Sequence, residues 1–266
     1  MPRGINQFDE DRLDGLNVGD ANSSNIVSPD IVTDGLVLHL DAGNYQSYPI
    51  AGTTWYDLSG RGNNGTLTNG PTYIRDGGGS IFFNDPYSHY CNLGDVLDLG
   101  TNDLTILFWI YVPTSFPAPL QGICGKSRAA DATYRYGTLI EASTNRFWAF
   151  MQGGSLGASV NAFTTAALVV NTWQMCTAVF NRKGSIELYI NQNKEALTGT
   201  ASISAFDGQD FQSSNPFRIG SYTASDGTSP LYFAKAYIPI NLVYFRALTP
   251  TEISQNFNAT RARFNI

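Results

Sequence analysis

The chain has 266 residues, of which 14% are charged and 13% aromatic, with 26 Gly and 12 Pro. That length suits one large domain with an appendage, and so few charges exclude long solvent-facing helices; many short strands joined by polar turns fit instead. Net charge is -6, but the acids Asp9, Glu10, Asp11, Asp14, Asp20, Asp30 and Asp34 crowd the first forty residues against only Arg3 and Arg12, so the rest is near neutral and has no electrostatic footprint for nucleic acid.

Residues 1–33 read as an extended acidic arm. Asp, Asn, Ser and Gly dominate it, and its apolar residues, Ile5, Phe8, Leu13, Leu16 and Val18 among them, are scattered. Such a segment cannot bury enough surface to fold alone. It is either a disordered tail or an arm ordered by a neighbouring subunit, with those five residues as its anchor. The start has no apolar signal core, and no apolar stretch in the chain is long enough to span a bilayer. Cys91, Cys124 and Cys176 are odd in number and each sits in an apolar run, which predicts buried free thiols and folding in a reducing cytoplasm.

Residues 34–266 read as one domain. A strand at Leu36–Leu40 is followed by a long polar loop. Short strands come next at Tyr73–Arg75, Ser80–Asn84 and His89–Leu93. Asp103–Val112 is the most apolar run, and both of its alternating faces are apolar, which predicts a central strand between layers. Strands at Gly122–Lys126, Gly137–Glu141, Arg146–Met151 and Ala158–Phe163 lead to a hairpin over Trp173–Ile190. Its first arm is apolar almost throughout. In its second arm Ile186, Leu188 and Ile190 alternate with Ser185, Glu187 and Tyr189, one face buried and one wet. Pro216–Gly220 and Ala236–Arg246 complete the strands. One short helix is signalled near the end: Thr249 as N-cap, Pro250 at the first helical position, Glu252 closing a capping box, and Leu248 with Ile253 as a staple.

The segments Gly35–Gly43 and Trp55-Tyr-Asp-Leu-Ser-Gly-Arg-Gly-Asn-Asn-Gly-Thr66, with Val243–Asn258 at the other end, resemble concanavalin A-like (laminin G-like) jelly-roll domains of the kind common in phage virion proteins. The resemblance covers residues 35–266. It implies an all-β, two-sheet antiparallel jelly-roll sandwich with its first and last strands paired, here with an extended N-terminal arm and one short C-terminal helix. Many such domains carry an acid just before the last strand. Tyr237–Leu242 has none, which counts against calcium of the laminin G type, and no cofactor is expected.

Two pattern matches carry no chemistry. Gly60–Gly65 fits a dinucleotide fingerprint, but the Thr66–Pro71 segment that follows cannot open a helix. Gly153–Gly157 fits a nucleophile elbow, but the histidines, His39 and His89, both precede it and pair with no serine. Glycoside hydrolysis needs two carboxylates roughly 5–9 Å apart; related glucanases set theirs as Glu-x-Asp-x-x-Glu on one strand, a run absent here, and Glu141 and Glu187 stand alone. Asp95, Asp98 and Asp103 share a loop and can offer oxygens to calcium, or simply form a solvated turn. For glycans the candidates are Tyr134, Arg135, Tyr136, Asn145, Trp148 and Tyr222, as aromatic platforms and hydroxyl partners beside the concave sheet, with core or subunit-contact aromatics as the competing reading. The expectation is a non-enzymatic virion component, a capsid decoration protein or part of a tail fibre or baseplate. It would stand on the virion surface among other virion proteins and further copies of itself, with polysaccharide binding as the alternative role.

Overall fold

Side-chain alternation with a repeat of two builds the domain from many short strands. The computed structural model describes residues 30–113, 120–127, 134–153, 158–224, 226 and 228–266. The anchoring residues expected in the arm, Ile5, Phe8, Leu13, Leu16 and Val18, lie outside the described residues. In chain order the strands are β1 (Leu36–Asp41), β2 (Thr54–Trp55), β3 (Gly65–Thr68), β4 (Thr72–Ile74), β5 (Ser80–Phe83), β6 (Tyr90–Gly94), β7 (Leu104–Tyr111), β8 (Leu120–Lys126), β9 (Arg135–Glu141) and β10 (Arg146–Gly153). They continue with β11 (Ala158–Ala167), β12 (Trp173–Phe180), β13 (Ile186–Ile190), β14 (Asn193–Lys194), β15 (Leu197–Gly199), β16 (Phe217–Ile219), β17 (Tyr222–Thr223), β18 (Pro230–Leu231), β19 (Ala236–Ile238) and β20 (Ile240–Tyr244), before helix α1 (Pro250–Thr260).

Two antiparallel sheets face each other. The first runs β14-β13-β12-β7-β19-β5-β4, with β20 also beside β7 and β1 beside β20; the second runs β15-β11-β10-β9-β8-β16-β6-β3-β2. The first and last long strands, β1 and β20, pair as the resemblance implied. The main core fills the space between the sheets, with Ile106, Phe108 and Ile110 from the first meeting Ile140, Phe147 and Met151 from the second. Phe108 and Phe147 touch edge to face, 5.7 Å apart at 83°.

Strand β7 is the central strand expected. Its other face, Leu107 and Trp109, joins Met175, Val179, Leu242 and Tyr244 in a second cluster closed by Ile253 and Phe257 of α1 and by Phe264 just after it. Trp109 stacks on Phe264 at 4.1 Å, and its indole N–H donates to Thr260 Oγ1 at 2.8 Å. Each of these large side chains is worth roughly 1.5–3 kcal/mol when fully buried, so packing outweighs the helix cap in holding α1. The cap nonetheless forms as read. Thr249 Oγ1 accepts from Glu252 N, and the Glu252 carboxylate accepts from Thr249 N at 2.8 Å. Arg246 adds a second partner, its Nη2 2.6 Å from Glu252 Oε1. Those hydrogen bonds hold the Glu252 carboxyl down to about 2.

Three details depart from the sequence reading. The face of β13 expected to be wet is wet only in part: Ser185 and Glu187 are half-exposed, but Tyr189 is buried in the second cluster, with its hydroxyl donating to Glu187 at 2.8 Å. Ala236–Arg246 is two strands, broken at Pro239, which has no N–H for the ladder; β19 pairs with β5, and β20 with β1. Residues 30–33, placed in the arm, are docked on α1, where Val32 N donates to Asn256 Oδ1 at 2.8 Å and Tyr244 Oη donates to Val32 O at 3.0 Å.

Thr249→Ala is expected to cost about 1 kcal/mol in urea unfolding, whereas Thr251→Ala, at an exposed helical position, changes the midpoint little. Because the Glu252 carboxyl is lowered by folding, its contribution is present above the unfolded carboxyl range near 4.3 and is lost as pH falls towards about 2. Glu252→Gln flattens that part of the stability curve.

Candidate functional site

Strands β9, β10 and β11 send Ile140, Phe147, Ala149, Met151 and Ala162 into the core. Alternation therefore places Arg135, Leu139, Trp148, Phe150, Gln152, Ser159, Asn161 and Phe163 on the outer face of the second sheet. The register sets them side by side: Trp148 lies opposite Leu139 on one side and Phe163 on the other, and Gln152 lies opposite Arg135 and Ser159. Ser221 and strand β17 lie over this face against β8. They sit so close that a Cβ on Gly122 would lie 2.5 Å from the Ser221 carbonyl carbon, which is why that position has no side chain. Gly122 N donates to Tyr232 O at 2.8 Å.

The result is a cleft of about 270 Å³ lined by Leu120, Arg135, Leu139, Trp148, Phe150, Ser159, Asn161, Tyr222 and Tyr232. Aromatic rings run along it as a rail that continues beyond its lining to Phe163. Phe163 stacks on Trp148 at 4.9 Å, Trp148 meets Phe150 at 6.3 Å, Phe150 meets Tyr222 at 5.7 Å, and Tyr222 meets Tyr232 at 6.0 Å. Polar groups punctuate the rail. Arg135 Nη1 donates to Tyr222 Oη at 3.0 Å and Nη2 donates to Gln152 Oε1. Trp148 Nε1 donates to Asn161 Oδ1 at 3.2 Å, and Asn161 Nδ2 reaches Ser159 Oγ at 3.2 Å. Burial pushes the Tyr222 phenol up, while Arg135 pulls it back. Apolar ring faces beside neutral and cationic donors suit a polyhydroxylated ligand, whose C–H surfaces stack and whose hydroxyls accept and donate.

Of the six candidates, Arg135, Trp148 and Tyr222 converge in this cleft. Tyr136 does not: it is buried in the main core with its hydroxyl donating to Leu97 O, because Arg135–Glu141 is strand rather than loop and alternation turns position 136 inward. Tyr134 packs on Phe211 at 4.5 Å, against the core. Asn145 takes positive φ in the turn between β9 and β10 and does not line the cleft. Ser159, Asn161 and Tyr232 were missed. The Ser-x-Asn-x-Phe alternation of β11 was visible but reads only as a strand until its neighbours are known.

No Asp or Glu lines the cleft among the described residues. Glu141 is ion-paired to Arg146 at 2.8 Å, and hydrogen bonds from Thr144 and then Arg146 hold its carboxyl below the usual range. Glu187 belongs to the first sheet and pairs with Lys194 at 2.7 Å. The aspartates considered for calcium are engaged by cations and backbone. Buried Lys126 Nζ lies 2.6 Å from Asp95 Oδ1 and 2.7 Å from Asp98 Oδ1, while Asp103 Oδ1 accepts from Arg182 N at 2.7 Å. Gly60 and Gly62 take positive φ in a turn organised by Asp57, whose carboxylate accepts from His39 N, Ser59 N and Asn63 N. Ser59 Oγ also donates to Asp57, at 2.7 Å, and not to a histidine. Residues 154–157 of the elbow-like match lie outside the described residues. Cys91, Cys124 and Cys176 are buried free thiols, and burial pushes Cys124 up to about 12.

The two-sheet antiparallel sandwich is a concanavalin A-like fold. The chain belongs to the concanavalin A-like lectin/glucanases superfamily, whose laminin G family model matches residues 85–254. Among solved structures it is similar to the binding domain of Paraclostridial Mosquitocidal Protein 1, with 17% identity, 85% of this chain and 52% of that one covered, and a TM-score of 0.64. It is also similar to domain 4 of AbnA, a GH43 extracellular arabinanase from Geobacillus stearothermophilus, in complex with arabinotriose, with 17% identity, 83% and 97% coverage and a TM-score of 0.57. A mutant of Trypanosoma rangeli sialidase displaying trans-sialidase activity matches with 13% identity, 88% and 34% coverage and a TM-score of 0.59. The chain thus spans about half of the toxin binding domain and a third of the sialidase, and at these identities the likeness is one of fold. No curated protein sequence matches the chain.

Replacing Asp95 and Asp98 together by Asn strands a buried ammonium and is expected to cost about 3–5 kcal/mol. Lys126→Met removes the buried charge and leaves two carboxylates that are 54% and 38% exposed, so it costs less. Thermal melts of the two variants give the order, and added calcium leaves the melting temperature of the parent unchanged.

Proposed function

We propose that this chain is a non-catalytic binding module that recognises polysaccharide through the cleft on the outer face of the second sheet. The observation that carries the reading is the continuous rail Phe163–Trp148–Phe150–Tyr222–Tyr232, flanked by Arg135 and Asn161. Half-buried Trp148, Tyr222 and Tyr232 offer ring surface to sugar C–H groups, with Phe150 buried between Trp148 and Tyr222 as their support, and the polar groups beside them can meet ring hydroxyls. That Glu141 and Glu187 are each ion-paired, on different sheets, supports binding over hydrolysis. The similar arabinanase domain holds arabinotriose, which makes arabino-oligosaccharides sensible first probes.

A second element of the reading concerns placement. Asp30, the first described residue, lies beside α1 on the outer face of the first sheet, where its carbonyl accepts from Gln255 Nε2 at 2.8 Å. The cleft lies on the outer face of the second. Attachment through residues 1–29 would therefore leave the cleft pointing away from the anchor. This supports a role as a surface component of a larger assembly, and on a phage particle that means a capsid decoration, tail fibre or baseplate protein.

On a glycan array the parent protein is expected to bind at least one polysaccharide class. Trp148→Ala should weaken that binding by about tenfold or more, equivalent to about 1.4 kcal/mol, with circular dichroism showing that the variant is folded. Removal of residues 1–29 is expected to leave glycan binding intact and to abolish incorporation into particles. Unchanged incorporation would refute the anchoring role, and release of reducing ends from the bound polysaccharide would refute the non-catalytic one.

A further inference from the structure

A second aromatic site lies on the opposite side of the sandwich, and nothing in the glycan reading uses it. Trp173 of β12, Tyr111 of β7 and Tyr237 of β19 share one rung of the first sheet, each outer residue opposite Tyr111 in the register. Their outward direction follows from β7, where Leu107 and Trp109 on the same face are covered by α1 and Phe264. Tyr111 lies two residues beyond that cover, and all three rings of the rung are half-buried. Together with Asp76 and Pro113 they line a cavity of about 260 Å³.

The rings form a corner. Trp173 is tilted 53° to Tyr111 at 5.3 Å, and Tyr237 stands at 83° to Tyr111 at 5.6 Å. The Trp148 rail extends from strand to strand; three rings around one cavity of about 260 Å³ instead suit a compact ligand approached from several sides. The walls are held in place. Trp173 is backed by Phe264 at 5.0 Å and by Gly77, where a Cβ would come within 2.5 Å of the indole. Tyr237 is stacked on Phe82 at 4.4 Å. The charge at the rim is negative. No ion pair to the Asp76 carboxylate is present among the described residues. The guanidinium packed behind this turn, Arg263, is engaged by Asp41 at 2.5 Å and by the carbonyls of Gly77 and Gly79. The Asp76 charge is felt inside the cavity: after burial and Tyr111, it is a further cause of the upward shift of the Tyr237 phenol.

We propose that the Trp173–Tyr111–Tyr237 corner with Asp76 is a binding site for a trimethylammonium group. Ring faces attract a cation through their quadrupoles, most strongly where the cation is methylated and sheds water at little cost. The carboxylate adds long-range attraction at the mouth. The same group is presented by free choline and by phosphatidylcholine headgroups, and the chemistry of the corner serves either. This site stands on its own observations and does not depend on the glycan cleft.

Calorimetric titration of the full chain with choline tests it directly, with 3,3-dimethylbutan-1-ol as the neutral isostere. Choline is expected to bind with a millimolar dissociation constant, and the isostere about tenfold more weakly. Asp76→Asn, a change at an exposed turn position that leaves folding intact, should weaken choline binding several-fold. Tyr237→Leu should abolish it, with circular dichroism reporting whether that variant is folded. Co-sedimentation with phosphatidylcholine vesicles separates the sources: retention means the corner reaches a headgroup at a bilayer surface, and binding of choline without retention restricts it to small soluble ligands. No binding of choline, equal binding of the isostere, or an unaltered affinity in Asp76→Asn would overturn the proposal.

Discussion

Strand β7 is apolar on both faces, and the architecture follows from having to cover both. Ile106, Phe108 and Ile110 are satisfied by the second sheet. Leu107 and Trp109 cannot be left to water, and the C-terminal segment supplies their cover through Phe257 and Phe264. That requirement explains why the capped helix α1 is docked on the sheet. It also explains why Asn256 is buried: it ties Val32 and Tyr244 to the helix and so stitches the start of the domain to its end. Along β7 the C-terminal cover reaches Trp109, and Tyr111 lies beyond it.

Buried cations fix the loops that strands alone leave free. Lys126 gathers Asp95, Asp98 and the carbonyl of Val96. Arg182, in the hairpin turn, is almost wholly buried and donates to the carbonyls of Gly100, Asn102, Phe206 and Gln209 while lying over the Phe211 ring at 4.7 Å. Each guanidinium or ammonium replaces lost water with several oxygens, the condition under which a buried charge is tolerated. The loops between β6 and β7 and between β15 and β16 are thereby held to the second sheet and the hairpin, so the sandwich keeps its shape at the end where turns are longest.

Much of this was readable in the residues because it is local. Thr249-Pro-Thr-Glu252 announces its helix, and the double-faced run of β7 announces a middle layer. Properties that depend on what lies across the fold were hidden. Tyr189 looks solvent-facing from its own strand, and only the helix arriving from residue 250 buries it. Tyr136 and Trp148 are equally aromatic, but the strand that starts at Arg135 turns one inward and the other leaves its ring outward. Arg135, Trp148 and Tyr222 are 87 positions apart at their extremes, and their meeting depends on the register of β9 with β10 and on the close approach permitted by Gly122. Asn161 and Ser159 carried no signal beyond alternation. The burial of Lys126 and Arg182 has no local signal, because their partners lie 24 or more positions away.

The two faces of the sandwich thus carry different aromatic surfaces: an extended rail on the second sheet and a compact corner on the first. The rail is the centre of the functional account, and the indole N–H resonances test it with one residue to each signal. Trp55, Trp109, Trp148 and Trp173 report on separate parts of the molecule, with Trp55 and Trp109 fully buried. Titrating the labelled protein with an oligosaccharide selected on a glycan array should move the Trp148 signal in proportion to saturation and leave Trp55 and Trp109 still. A silent Trp148 while a saccharide binds elsewhere, or no saccharide that binds at all, would contradict it.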